Sequence, residues 1–137
     1  MKKLMIAVAA VCSAAMVHAA AASWTAGASE IHNGSGVEED YFSGSAYFFD
    51  AGVMSQSALF ALWDAGTTIG SGTDGYVGTM SVSDGTLNAT PFTYAEIGED
   101  KTYSFYFALV KDDQVYLSNI VSKKPSGGSS SQALGFG

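Results

Sequence analysis

Thr102-Tyr103-Ser104-Phe105-Tyr106-Phe107-Ala108-Leu109-Val110 is the stretch on which the fold turns, because its apolar side chains fall at both odd and even positions. Successive strand residues point to opposite faces, so such a run is covered on both sides and is predicted to be a central strand. Lys111-Asp112-Asp113-Gln114 then supplies a turn, and residues 115–121 pair back along it. Working upstream, Tyr76, Met80 and Val82 are expected on one face, with Thr79, Ser81 and Ser83 opposite, the period-two pattern of a half-buried strand. Asp84-Gly85 is a two-residue hairpin signal, since a type I′ turn wants positive φ at both centres. Residues 86–97 are expected to return antiparallel, with Pro91 confining part of that strand to an edge or bulge. Ala46-Tyr47-Phe48-Phe49, set between Gly/Ser and Asp50-Ala51-Gly52, reads as a further strand. The pattern as a whole predicts a mainly β chain folded as a single antiparallel β-sandwich.

Residues 55–66 break the pattern. Ser55 stands at an N-cap position, Gly66 lies just past the end, and Leu59, Leu62 and Trp63 recur at i, i+3, i+4. A short helix near 55–65 is favoured over the alternative, a buried strand ending at Trp63. Residues 23–43 are weakly patterned, with Trp24 and Ile31 isolated among Gly, Ser and acids. At the other end, Lys123-Lys124-Pro125 closes the domain, and Ser126-Gly127-Gly128-Ser129-Ser130-Ser131 has linker composition. The apolar tail that follows, with Leu134 and Phe136, either folds back as a last strand or is presented to a partner.

Ile97, then Tyr103 six residues on, the alternating Phe105 and Phe107, a turn, and Ser118-Asn119-Ile120-Val121-Ser122 resemble the last hairpin of fibronectin type III modules. In that family an aliphatic residue precedes the tyrosine of a tyrosine corner at this spacing. The resemblance covers residues 97–122, about a fifth of the chain. Glu99 occupies the place of the proline usual in that corner, and a helical Trp63 leaves the family's tryptophan-bearing early strand without a counterpart. What the resemblance implies is an immunoglobulin/fibronectin III-like antiparallel sandwich. It implies no activity, because such sandwiches host many functions.

The start of the chain reads as an export signal. Lys2 and Lys3 precede an apolar or small run over residues 4–17, and Val17, Ala19, Ala20 and Ala22 supply small-residue cleavage rules after Ala19 or after Ala22. A membrane anchor needs roughly 20 apolar residues, more than this run offers. The expected organisation is a signal peptide over 1–22, a β-rich domain over 23–125, and a linker and tail over 126–137. Loss of the leader removes two lysines and Cys12, the single cysteine. It leaves Lys101, Lys111, Lys123 and Lys124 against thirteen acids, a charge of 4 − 13 = −9 with no arginine. Such an acidic surface repels nucleic acid and lacks a bidentate fork for phosphate. No disulfide staples the domain, so a hydrophobic core must hold it. The Met-Lys-Lys start is bacterial in style, and the paper N-glycosylation sequons at Asn33 and Asn88 are read as chance matches.

Little of the chain invites chemistry. A hydrolase triad needs a histidine base, and past the leader only His32 remains, with no Gly-x-Ser-x-Gly elbow. One histidine without cysteine cannot assemble a usual zinc set. For calcium, Thr73-Asp74-Gly75 and Glu38-Glu39-Asp40 are the candidates, although neither approaches a calcium-loop spacing. Most carboxylates sit at turn positions, including Asp84, Asp112, Asp113, Glu99 and Asp100, where Asp serves the local backbone. Most aromatics fall at core spacing. Trp24 and Tyr41 lie outside the clearest strands and are the candidate ligand contacts, while Leu134 and Phe136 are the candidate self-association residues. No catalytic or metal site is expected. The leading expectation is an exported, non-catalytic structural or adhesive β-domain of the cell envelope or extracellular matrix that pairs with itself or with other envelope proteins. The alternatives are a carbohydrate-binding module and a small secreted hydrolase with paired carboxylates.

Overall fold

A computed structural model of the chain describes residues 21–32, 40–88, 90–96, 101–125 and 131–136. Among the described residues nine strands and one helix follow one another: β1 (Ala21–Gly27), β2 (Gly44–Asp50), α1 (Gln56–Asp64), β3 (Tyr76–Ser83), β4 (Thr86–Leu87), β5 (Phe92–Glu96), β6 (Tyr103–Lys111), β7 (Gln114–Leu117), β8 (Val121–Lys123) and β9 (Ser131–Gly135). They form two sheets. The smaller has the order β5-β1-β9, and the larger has the order β4-β3-β2-β6-β7, with β8 continuing the pairing along β6.

The doubly apolar stretch is central, as its pattern requires. β6 has β2 on one side, with Phe48 opposite Phe107, and β7 and β8 on the other. Its two faces serve two cores. Tyr103, Phe105, Phe107 and Leu109 join Trp24, Phe48, Met80 and Leu134 between the sheets. Tyr106 and Ala108 turn the other way and pack with Phe49, Met54, Leu59 and Ile69, a cluster closed by α1 and the loop after it. The larger sheet is therefore covered on both faces, by the small sheet and by the helix. Burying side chains of this size contributes roughly 1.5–3 kcal/mol each, which is how a domain without a disulfide can hold together.

The helix is built by its caps. The Ser55 hydroxyl accepts from Ala58 N–H at 3.1 Å. At the other end Gly66, at φ 84°, donates to Trp63 O, and Thr67 N–H donates to Leu62 O. That pair of bonds is a Schellman stop, which asks for glycine in the left-handed region. The Asp84-Gly85 hairpin also forms as the sequence predicts, with φ of 46° and 77° and Ser83 opposite Thr86. Asp112 and Asp113, at φ 51° and 59°, make the equivalent turn between β6 and β7.

Four expectations need correction. Trp24 is not an isolated apolar residue of a weakly patterned segment but lies on β1, the middle strand of the small sheet, and is fully buried. Residues 86–97 do not return as one strand: only Thr86 and Leu87 pair with β3, and after Pro91 the chain joins the other sheet as β5, antiparallel to β1. Tyr76 does not share a face with Met80 and Val82. The register steps from Phe48↔Gly78 to Phe49↔Tyr76, so Val77 is an extra residue and the bulge turns Tyr76 toward the helix side. Finally, the pairing is not all antiparallel, because β9 lies parallel to β1.

Candidate functional site

The feature that sets this fold apart is the seat of its last strand. β9 runs parallel to β1 in the register Trp24↔Gln132, Thr25↔Ala133, Ala26↔Leu134. Parallel partners in register share a face, so Gln132, Leu134 and Phe136 turn inward beside Ala22, Trp24 and Ala26. Leu134 is 2% exposed and Phe136 7%. The Phe136 ring meets Phe107 edge-on at 5.1 Å and Phe48 at 5.9 Å. Phe136 N–H donates to Gly27 O at 2.9 Å, and the Lys123 ammonium donates to Ala133 O at 3.0 Å, tying β9 to β8. The two tail residues singled out from the sequence are thus brought together as plugs in the inter-sheet core.

Beside Phe136 the space between the two sheets is open. A groove of about 340 Å³ is lined by Phe136, Phe107 and Leu109 on its apolar wall and by Ser29, Glu30 and His32 on its polar one. His32 of the polar wall forms an isolated bridge with Tyr41, their rings stacked at 4.8 Å and 25°. Tyr41 is 41% exposed and rests on the Asp84-Gly85 turn, where a Cβ on Gly85 would lie 2.6 Å from its ring. The Tyr41 ring is thus partly accessible. That of Trp24 is not: its indole N–H donates to Tyr94 O at 2.7 Å and its ring packs against Phe105.

A second polar feature joins the two sheets. Asp50, 6% exposed at the end of β2, accepts a short hydrogen bond from the Tyr94 hydroxyl of β5 through Oδ2. Its Oδ1 accepts from Gly52 N–H at 2.8 Å. Burial, then the hydrogen bond to Asp50, holds the Tyr94 phenol well above the ordinary tyrosine range. Tyr106, whose hydroxyl donates to Met54 O at 2.8 Å, is pushed up to about 12 by burial. Both groups of the pair have their hydrogen bonds inside the fold, so the arrangement is a clasp between sheets. The sequence offered one hint of it, an acid ending an aromatic strand.

Of the calcium candidates, Asp74 is exposed in the turn before β3, and Glu38 and Glu39 lie outside the described residues. No group of three or more His, Cys, Asp or Glu side chains able to hold a metal occurs among the described residues. Glu99 and Asp100 also lie outside them, whereas Asp84, Asp112 and Asp113 occupy the two tight turns. No helix among the described residues is long and apolar enough to cross a membrane. Comparison with known protein families, with curated proteins and with solved structures finds no match to this chain.

Proposed function

We propose that this chain is an exported, non-catalytic structural or adhesive β-domain of the cell envelope or extracellular matrix, which associates with copies of itself by exchanging β9. The observation that carries the reading is the seat of that strand. β9 is the last of the described strands, pairs with the first of them, and inserts Leu134 and Phe136 among buried residues drawn from 22–109. Without it β1 presents a bare parallel edge, which is a template for another strand. A β9 from a second copy makes the same contacts, so exchange changes the free energy only through the hinge and through concentration. A short tether holds its own tail at an effective concentration on the order of millimolar, so exchange competes best where the protein is crowded or is refolded at high concentration. The acidic, arginine-free composition suits a surface component that does not adhere to nucleic acid.

Export rests on the leader. Of the two cleavage points, the one after Ala19 leaves β1 whole, whereas the one after Ala22 removes a fully buried alanine from it. The test of the assembly mechanism is deletion of residues 126–137, with a synthetic peptide of residues 129–137 supplied in trans. The full chain refolded at high concentration is expected to give oligomers by light scattering, and the deleted chain to give none and to gain thermal stability from the peptide. A deleted chain that assembles as the full one does rules the mechanism out.

A further inference from the structure

On the opposite side of the larger sheet, away from β9, lies a second and larger groove of about 640 Å³. Its floor is Tyr47 of β2 and Thr79 of β3, which are register partners, with Tyr76 at one end; its wall is the glycine-rich loop over residues 68–72. Every lining side chain is uncharged: tyrosine, threonine, serine, isoleucine and glycine. In a chain this rich in acids that is a selective chemistry. It offers neither a cation for an acidic ligand nor a carboxylate for a basic one, but it does offer aromatic rings beside hydroxyls and loop backbone.

The groove is also preformed. The Tyr76 hydroxyl is hydrogen-bonded to Thr79 Oγ1, and its ring is set against Phe49 at 6.3 Å and 74°. Ile69, 4% exposed, pins the loop into the helix-side core. Within the loop Gly70 N–H donates to Thr73 Oγ1 and Thr73 N–H donates back to Gly70 O, both at 3.0 Å. Tyr47 packs against the same core and also lines the groove, half-buried. Rings already held in place lose little conformational entropy on meeting a ligand. The volume falls in the range of small-molecule sites, roughly 300–1,000 Å³, and exceeds what one or two waters need.

We propose that this groove binds a neutral saccharide, with a sugar face laid on Tyr47 and Tyr76 and its hydroxyls bonded to Thr79, Ser71 and the loop backbone. The pairing follows from chemistry. A pyranose presents apolar C–H faces to an aromatic ring and a rim of hydroxyls that both donate and accept, as Thr, Ser and Tyr hydroxyls do. The site shares no residue with the β9 seat, so it stands or falls apart from the exchange mechanism.

The experiment is isothermal titration of the full exported chain with cellohexaose, xylohexaose and maltohexaose, and with polygalacturonate as the charged counterpart. Binding of at least one neutral hexasaccharide is expected, weakened at least tenfold by Tyr47→Ala. Thr79→Arg, a substitution at an exposed strand position on the groove floor, is expected to abolish it while the chain stays folded by circular dichroism. Tyr116→Ala, which removes an exposed tyrosine elsewhere, is expected to leave it unchanged. No binding of any neutral probe, a preference for polygalacturonate, or binding that survives Thr79→Arg overturns the assignment. So does a change of oligomeric state in Thr79→Arg without a change in titration, which makes the groove a contact between copies.

Discussion

Replacing Leu134 by alanine separates a docked, exchangeable tail from one fused into the domain. Leu134 is 2% exposed, lies beside Ala26 and belongs to the inter-sheet core. Leu→Ala in such a place costs about 2–5 kcal/mol, the spread reflecting how far the site collapses. If β9 opens as a unit, that cost falls on its docking equilibrium and not on the rest of the domain. The open population then rises by about thirtyfold at the lower bound, since each 1.4 kcal/mol is tenfold. Amide hydrogen exchange read residue by residue is the assay. Amides of β9, and those of β1 that donate to it, are expected to exchange at least about thirty times faster in the variant. Amides of β6, the central strand of the other sheet, are expected to keep their rates. Equal acceleration in β1, β9 and β6 refutes the reasoning, because it makes β9 part of one cooperative unit with no separate opening to support exchange.

Three further outcomes follow from the packing. In a double-mutant cycle of Asp50→Asn and Tyr94→Phe, urea unfolding is expected to give a coupling of about 1.5–3 kcal/mol, as for a hydrogen bond to a charged group; additive effects remove the clasp from the account. The folded Tyr94 and Tyr106 values are raised above their unfolded one, so their contribution is complete below about pH 10 and is lost as pH rises past it; tyrosinate absorbance is expected to show both still protonated above the ordinary tyrosine range, and ionisation of either within that range contradicts the burial argument. Gly85→Ala is expected to cost more than about 1 kcal/mol, since φ is 77° there and a Cβ would lie 2.9 Å from Ile31 O as well as against Tyr41; a melting temperature equal to that of the parent contradicts the close approach. Export as proposed predicts an N-terminus at Ala20 by intact-mass measurement, and a start at Ser23 means that β1 tolerates the loss of Ala22.

The parts of the fold legible in the sequence are those with local causes. A strand apolar on both faces is central, Asp84-Gly85 turns, and the helix favoured between Ser55 and Gly66 over a buried strand forms, since each signal lies within a few residues of its effect. The parts that escaped depend on distant partners. β1 alternates Ala22, Trp24 and Ala26, small residues around one large ring, so its inward face carries little hydrophobic signal until β5 and β9 close over it. Tyr76 changes faces because Val77 is accommodated as a bulge against β2, and the switch of sheets between Leu87 and Phe92 is set by what β1 needs as a neighbour. The tail residues were visible as candidates because an apolar end after a Gly/Ser run is conspicuous. The saccharide groove was not, since Tyr47 and Thr79 meet the 68–72 loop only after the helix has been folded over the sheet.

The central claim, that β9 moves between copies, is tested most directly by a cross-link across the β1–β9 pair. Thr25 and Ala133 are register partners on the outer face of the small sheet, and cysteines at both, in a Cys12→Ser background, can be joined by a short bis-maleimide. The chain is refolded at high and at low concentration, cross-linked, and run on a denaturing gel. The account predicts covalent dimers and higher ladders from the concentrated sample and single cross-linked chains from the dilute one. Single chains at every concentration would contradict it.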